Sequence, residues 1–150
     1  MDCAGTKSLI RLAVASDAAA LADLSIQLGY PTEAATIAER LARVRGEGAG
    51  EVYVAVDANG RVVGWTHVVP RQHLEEGAFA ELAGLIVDER TRGLGVGAAL
   101  LRAAEDWARH HGFTRLRVRS NVIRGRAHRF YLREGYVERK RQVVFDKALR

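Results

Sequence analysis

The sequence predicts a single α/β domain with a mixed, mostly antiparallel sheet. Stretches with strand and helix periodicity alternate along all 150 residues. The pair Asn59-Gly60 lies between two β-branched runs and is typical of a two-residue hairpin. Three glycines within residues 93–97 separate an apolar run from a helix-forming run. We therefore expect one domain over residues 1–150, with a frayed end at residues 1–7 and six or seven strands flanked by about four helices.

The first third of the chain predicts one strand and two helices. Ser16 or Asp17 can cap the first helix, and Gly29-Tyr30-Pro31 ends it. Thr32 can cap the second helix, which the glycines of residues 46–50 end. The strand is predicted over Ser8–Val14, and the first helix runs to about Leu28.

The rest of the chain predicts an antiparallel meander and then alternating helices and strands. Gly84, inside the third meander strand, indicates a bulge or a close backbone approach. Pro70 is expected to close the second meander strand. The predicted ranges are 52–56, 61–69 and 78–87 for the meander, with a polar loop at 71–77; 95–111 and 124–134 for helices; 115–119 for a half-exposed strand; and 136–145 for a final strand or hairpin.

Composition and charge narrow the class of protein. The chain is 48% hydrophobic and 27% charged, as in ordinary globular proteins, and no apolar run reaches the roughly 18 residues that cross a membrane. Arg11 and Asp17 interrupt the only N-terminal apolar stretch, so we expect no signal peptide. The single cysteine, Cys3, cannot form an internal disulfide, which favours a cytoplasmic location.

The net charge of +5 is unevenly distributed. Residues 1–100 hold 9 Lys/Arg and 13 Asp/Glu, whereas residues 101–150 hold 14 and 5. The basic part is either a solvated face or a surface that meets an anionic ligand, and the acidic part favours a cationic partner. Nucleic acid is not expected as a partner, because few aromatic residues are interleaved for base stacking.

The glycine-rich stretch predicts a strand, a turn and the start of a helix. Free N–H groups of a first helical turn suit a phosphate, and glycines let the backbone approach it. Gly93 to Ala98 also satisfies the dinucleotide fingerprint G-x-G-x-x-G/A. That fingerprint belongs in a first βα unit and needs an acidic residue about 20 positions later, where this chain has Arg115 and Arg117. A P-loop is excluded because no Gly-Lys-Ser/Thr follows.

Arg92-Gly93-Leu94-Gly95-Val96-Gly97 resembles the R/Q-x-x-G-x-G/A signature of the GCN5-related N-acetyltransferases. Asn121, Ala127, Phe130-Tyr131 and Gly135-Tyr136 match the family's later N…A…FY…GF/GY pattern. The resemblance implies this family's fold and acetyl-coenzyme A as cosubstrate. It also implies that the backbone of one strand pairs with the pantetheine arm and that the turn holds the pyrophosphate. The residues implied for the cofactor are Leu85, Ile86, Val87, Arg92, Gly93, Leu94, Gly95, Val96, Gly97 and Asn121.

Acetyl transfer to an amine needs a base for the amine and a proton for the leaving thiolate. The resemblance implies that Tyr131 is the general acid, and a phenol is protonated at neutral pH. Glu81 is our first candidate for the base, because family members often have an acidic residue near there. The competing candidates are Glu75, Glu76, His67 and His73. We expect no metal, since no His/Cys spacing resembles a zinc site.

The leading hypothesis is an acetyl-coenzyme A-dependent N-acetyltransferase acting in a ternary complex on a primary amine of a small cationic molecule. The alternatives are a non-catalytic acyl-coenzyme A sensor, a protein amine acetyltransferase and a basic nucleic-acid-binding module. Leu28-Gly29-Tyr30-Pro31 resembles the same region of small family members, and Tyr30 either lines the acceptor cleft or packs on the core. A homodimer through the C-terminal strand is a further expectation, because an edge strand would otherwise stay open.

Overall fold

A computed structural model describes residues 8–120 and 122–150. Two compact units divide the chain between Val118 and Arg119. The first unit contains one five-stranded sheet and three α-helices, and the second contains one helix. The strands are β1 (Leu9–Leu12), β2 (Glu51–Val56), β3 (Val62–His73), β4 (Gly77–Val87) and β5 (Leu116–Val118); the helices are α1 (Ala18–Gln27), α2 (Ala34–Gly46), α3 (Val96–His110) and α4 (Gly125–Arg133).

The sheet has the strand order β1-β2-β3-β4-β5. The first four strands pair antiparallel, and β5 joins β4 in parallel. The predicted α/β fold with a mixed, mostly antiparallel sheet and four helices is therefore confirmed. Whether the chain acts as a single domain stays a prediction.

Helices cover both faces of the sheet. Leu21 of α1 and Leu41 of α2 pack against Val52 and Val54 of β2. On the other face, Leu100 of α3 packs with Ala55 and Val63, together with Val96 from the start of the same helix. We call these the α1–α2 face and the α3 face of the sheet.

The prediction of a sixth or seventh strand is wrong for the described residues. The tail from Val137 onward forms no strand there. Arg141 Nε instead donates to Glu138 Oε1 at 2.7 Å. Side chains three residues apart point to opposite faces of an extended strand, so this local ion pair is incompatible with a strand there. The prediction of a homodimer through a C-terminal strand loses its structural basis in this segment.

Strand β3 continues through Pro70, where the sequence predicted its end. Its pairing with β2 stops at Val68, while its pairing with β4 continues to His73. Pro70 therefore lies where β3 has no partner strand on the β2 side. Proline has no backbone N–H, and on that side no hydrogen bond between strands is lost.

Candidate active site

The glycine-rich stretch forms the predicted turn between β4 and α3. Gly93 and Gly95 have φ values of 87° and 81°, in the left-handed region that other residues rarely adopt. Within α3 and its cap, Ala99 N donates to Gly95 O at 3.1 Å. The N–H groups of Val96, Gly97 and Ala98 therefore precede the first intrahelical bond, and they form the positive end of the helix dipole.

The turn has open space where an anion would need it. A Cβ built on Gly93 or Gly95 would meet no atom within 4 Å. Leu94 between them is 67% exposed, so its side chain lies largely in solvent. A backbone cradle of this kind fits a pyrophosphate, which needs oriented N–H donors rather than side chains.

Asp88 holds the start of the turn in place. Its own N–H donates to Val63 O at 2.8 Å, and its carboxylate accepts from Arg90 N at 3.1 Å and from Arg61 Nη2 at 2.8 Å. The carboxylate is almost fully buried. Burial by itself raises the pKa of Asp88, but the hydrogen bonds and charge of Arg90, with the charge of Arg61, leave that pKa lowered. Asp88 is thus an ionised anchor that ties the turn to the β2–β3 hairpin.

The two arginines of the turn are held loosely. Arg90 also reaches Asp88 through its side chain, at 3.3 Å, but the side chain is 71% exposed. Arg92 lies 3.9 Å from Glu89 and is more buried. Exposed ion pairs contribute little, so the guanidinium group of Arg90 can change partners at small cost.

Strand β4 has an open edge beside the turn. Its pairing with β5 covers Ala80, Glu81 and Leu82. Within the described residues, β4 then continues to Val87 with β3 as its ladder partner on the other side. The predicted pantetheine-binding residues, Leu85, Ile86 and Val87, lie on this edge, whose outward N–H and C=O groups are suited to an extended amide chain.

A β-bulge marks the beginning of that edge. His67 pairs with Gly84 and Val68 pairs with Leu82, so Ala83 is the extra residue on β4. Thr66 Oγ1 donates to Gly84 O at 2.8 Å, which satisfies a carbonyl that the bulge displaces. The bulge expected from Gly84 is confirmed.

The bulge decides which face each β4 side chain occupies. Leu85 and Val87 pack on the α3 face. Glu81 pairs with Val69 and lies on the α1–α2 face, as does Gly84 beside His67. Without the extra residue, the even spacing between Glu81 and Leu85 would place both on the same face.

Glu81 is a buried carboxylate with a partner. Arg71 Nε donates to Glu81 Oε2 at 3.0 Å, and the Glu81 side chain is 8% exposed. Its neighbour across β5 is Arg117. A base must accept a proton from the substrate within hydrogen-bond reach or through one water, and the guanidinium group of Arg71 already occupies one oxygen of this carboxylate. The role of Glu81 stays a prediction.

Two of the other predicted bases lie at the β3–β4 hairpin. Glu76 Oε2 accepts from Arg117 Nη1 at 2.7 Å, and His73 Nδ1 is 3.6 Å from the same carboxylate. His73 also contacts the buried ring of Phe79 edge-on, with 4.8 Å between ring centres. These side chains lie together at the end of β4 opposite the glycine turn, and their role as bases stays a prediction.

His67 lies across from the bulge. Its ring carries a buried Nε2 atom without a hydrogen-bond partner, and the same is true of Nε1 of Trp65. Burial lowers the pKa of His67, although the carbonyl of Ala49 counteracts this in part. A neutral imidazole with one free nitrogen is a proton acceptor. The sequence did not favour His67 over the other candidate bases, because its pairing with Gly84 depends on the bulge.

The predicted general acid lies in the second unit. Tyr131 is on α4, and its ring contacts Phe130 and Tyr136 at centroid distances of 5.2 and 5.9 Å. Burial raises the pKa of Tyr131 to about 12, so the phenol is protonated at neutral pH. Asn121, the other predicted residue of this region, lies outside the described residues.

Residues 8–120 and 122–150 contain no cluster of three or more His, Cys, Asp or Glu side chains arranged to hold a metal ion. In the same ranges, every helix is too short or too polar to cross a membrane.

The sequence is similar to a family model and to known proteins. A family model described as "Acetyltransferase (GNAT) family" matches residues 19–136. The chain is 34% identical over 144 residues to an aminoglycoside N(6')-acetyltransferase type 1 of Stenotrophomonas maltophilia, a match that covers 93% of each protein. It is 39% identical over 92 residues to an aminoalkylphosphonate N-acetyltransferase of Salmonella typhimurium, covering 61% of this chain and 58% of that relative.

The fold also matches a solved structure. The crystal structure of an aminoglycoside antibiotic 6'-N-acetyltransferase from Acinetobacter baumannii superimposes with a TM-score of 0.82 and covers 95% of this chain and 99% of that protein. Sequence identity is 18%, so this likeness concerns the fold alone.

Proposed function

Because this chain belongs to the GNAT family of acetyltransferases, we propose that it transfers the acetyl group of acetyl-coenzyme A to a primary amine of a small cationic molecule, by direct attack in a ternary complex. The chain is an acyltransferase by family. The observation that carries the proposal is the open edge of β4 leading into a glycine turn whose free N–H groups begin α3.

Each part of the cosubstrate has a matching part of this chain. Acetyl-coenzyme A supplies an activated acyl group and two linked phosphates. The N–H groups from Arg92 to Gly97 would hold the phosphates, and Leu85, Ile86 and Val87 would align the pantetheine amides. The open space at Gly93 and Gly95 supports this arrangement, because a phosphate can lie directly against the backbone there.

The class of acceptor amine is proposed from the charge of residues 1–100 and from the substrates for which two relatives are named. Residues 1–100 are acidic, with 13 Asp/Glu against 9 Lys/Arg, and they contain α1, α2 and the first four strands. One relative is named for aminoglycosides, which carry several amines, and another for aminoalkylphosphonates, which carry one amine and one anion. The acidic balance favours the polycationic class.

A panel of amines assayed for thiol release from acetyl-coenzyme A tests the proposal. The panel holds kanamycin, spermidine, 2-aminoethylphosphonate and lysine, so it separates a polycation from an amine that carries an anion. We expect turnover of kanamycin or spermidine above the others. If millimolar coenzyme A does not raise the melting temperature of the protein, the proposal is refuted.

Tyr131 is proposed as the proton donor to the leaving thiolate. Its raised pKa means that the phenol carries its proton at neutral pH, so it can donate a hydrogen bond to the sulfur as negative charge develops there. In Tyr131→Phe we expect kcat to fall about 100-fold, in the range for one general acid, with coenzyme A affinity unchanged. Phe130→Leu is the matched control, since it alters the neighbouring ring and leaves the phenol. Equal kcat for Tyr131→Phe and the native enzyme would exclude the role.

The cellular location and the oligomeric state are also proposals. A reducing cytoplasm suits a chain with one cysteine. A homodimer is retained as a proposal, to be tested by light scattering at micromolar concentration.

A further inference from the structure

Two ring nitrogens without partners lie on the same face of β3. Trp65 Nε1 and His67 Nε2 are buried and make no hydrogen bond. The two residues are separated by one position, so their side chains point to the same face, which is the α1–α2 face where Trp65 packs. Buried polar atoms are nearly always paired, so two neighbouring exceptions point to a ligand that completes them.

His67 is fixed next to the place where the acyl group would arrive. Its backbone pairs with Gly84, the residue after the bulge, at the start of the open edge of β4. The ring of Trp65 covers Gly84 so closely that a Cβ there would lie 2.8 Å from two ring carbons. The face beside the bulge is therefore lined by one indole and one imidazole.

The backbone carbonyl of Ala49 acts on the imidazole and partly opposes the lowering of its pKa by burial. With the proton of the neutral ring on Nδ1, Nε2 carries a lone pair, and Nε2 has no hydrogen-bond partner. The charged groups that act on the ring are Arg71, which disfavours its protonation, and Glu51, which favours it. Glu51 is itself paired with Arg45 at 2.9 Å, so its influence is reduced.

We infer that Nε2 of His67 takes the proton from the acceptor amine, which makes the α1–α2 face beside the bulge the amine-binding site. This inference rests on the proposed acetyltransferase function and names the base for it. Both rings are half-buried rather than enclosed. The outer torsion of histidine is soft, so a small ring rotation brings Nε2 to a ligand.

The proton balance of the reaction is complete with this residue. The acceptor ammonium gives one proton to Nε2 and becomes a neutral amine. Its nitrogen then forms a bond to the thioester carbonyl carbon, the carbon–sulfur bond breaks, and the electron pair leaves with sulfur. The second proton of the nitrogen reaches the sulfur, with the phenol proposed above as donor and later acceptor. His67 releases its proton to solvent.

His67 and Glu81 are rivals on the same face, and their partners distinguish them. The carboxylate of Glu81 already accepts a hydrogen bond from Arg71. The free nitrogen of His67 accepts none. A catalytic base needs an available lone pair, and Nε2 of His67 offers one that no cation holds, whereas the carboxylate of Glu81 is held by the guanidinium group of Arg71.

The test compares His67→Asn with Glu81→Gln in the full-length enzyme, using the amine from the panel that turns over fastest. Asparagine keeps a donor for the Ala49 carbonyl but has no basic nitrogen. At pH 7 we expect kcat/KM of His67→Asn to fall by about 100-fold or more, the range for a lost general base. The loss should shrink as pH rises toward about 10, where an alkyl amine loses its own proton. His110→Asn, the same change at the exposed end of α3, should leave the profile as in the native enzyme.

The outcomes separate the two ideas. Coenzyme A should raise the melting temperature of native enzyme and His67→Asn equally. A His67→Asn profile with native shape, or an equal loss at every pH, would overturn the role of His67 while the acetyltransferase proposal stands. A selective loss of the pH-dependent limb in Glu81→Gln would assign the base to Glu81 instead. A native enzyme that acetylates no amine in the panel would defeat the proposed function and this inference together.

Discussion

The substitution Gly95→Ala tests whether the glycine turn binds the diphosphate. Gly95 caps α3 with φ of 81° and ψ of 6°. An added methyl group would meet no protein atom within 4 Å, so the cost to folding is limited to backbone strain of roughly 1–2 kcal/mol. In the complex, the same methyl group would occupy space that a phosphate oxygen needs. Losing one hydrogen bond to a charged group costs about 1.5–3 kcal/mol, which corresponds to a 10- to 100-fold weaker Kd for coenzyme A.

Gly112 provides a matched control at the other end of the same helix. Its φ is 80°, and an added Cβ would also meet nothing within 4 Å. Denaturant unfolding should therefore give the same stability loss for Gly112→Ala and Gly95→Ala. Titration calorimetry with coenzyme A should give a weaker Kd for Gly95→Ala alone. Native affinity in Gly95→Ala, at the expected loss of stability, would refute the assignment of the turn as the diphosphate site.

Three further predictions concern the supports of the site and of the fold. Asp88→Asn removes the charge that organises the turn, so unfolding free energy should fall by about 1.5–3 kcal/mol and coenzyme A affinity should fall with it; native values in denaturation and calorimetry would contradict this. Gly84→Ala forces a methyl group against Trp65 and should cost about 1–3 kcal/mol, whereas an unchanged denaturation midpoint would show that the ring moves freely. The hydrogen bond from Arg11 lowers the pKa of Asp17. The ionised carboxylate therefore stabilises the fold fully above the usual pKa of 3.8, and this stabilisation is lost as pH falls through the lower pKa of the folded state. In urea denaturation, the difference in unfolding free energy between the native enzyme and Asp17→Asn should disappear at acid pH.

Local signals in the sequence were sufficient for the turn and for the helix that follows it. Gly93 and Gly95 were expected where positive φ is needed, and both have it. Helix α3 was expected at about 95–111 and runs from Val96 to His110. Both depend on interactions within a few residues, where backbone sterics and helix periodicity decide the structure.

The prediction of the tail failed because strands depend on distant partners. Val143, Val144 and Phe145 have strong β propensity, but that propensity reflects packing against a neighbouring strand more than an intrinsic preference of the backbone. In the described residues these three side chains pack against no neighbouring strand and are 76–88% exposed. Sequence spacing alone does not show whether such a partner strand exists.

The catalytic base was the least predictable part of the site, and the bulge explains why. One extra residue at Ala83 shifts the register of β4, so it separates Glu81 from Leu85 and sets His67 directly across from Gly84. The sequence shows the acidic residues of β4 and the histidines of β3, but their roles depend on the face of the sheet that each occupies and on its hydrogen-bond partner. Glu81 accepts a hydrogen bond from Arg71, whereas Nε2 of His67 has no hydrogen-bond partner. An unpartnered ring nitrogen opposite the bulge is a property of the folded chain, and for that reason our inference names an imidazole where the sequence suggested a carboxylate.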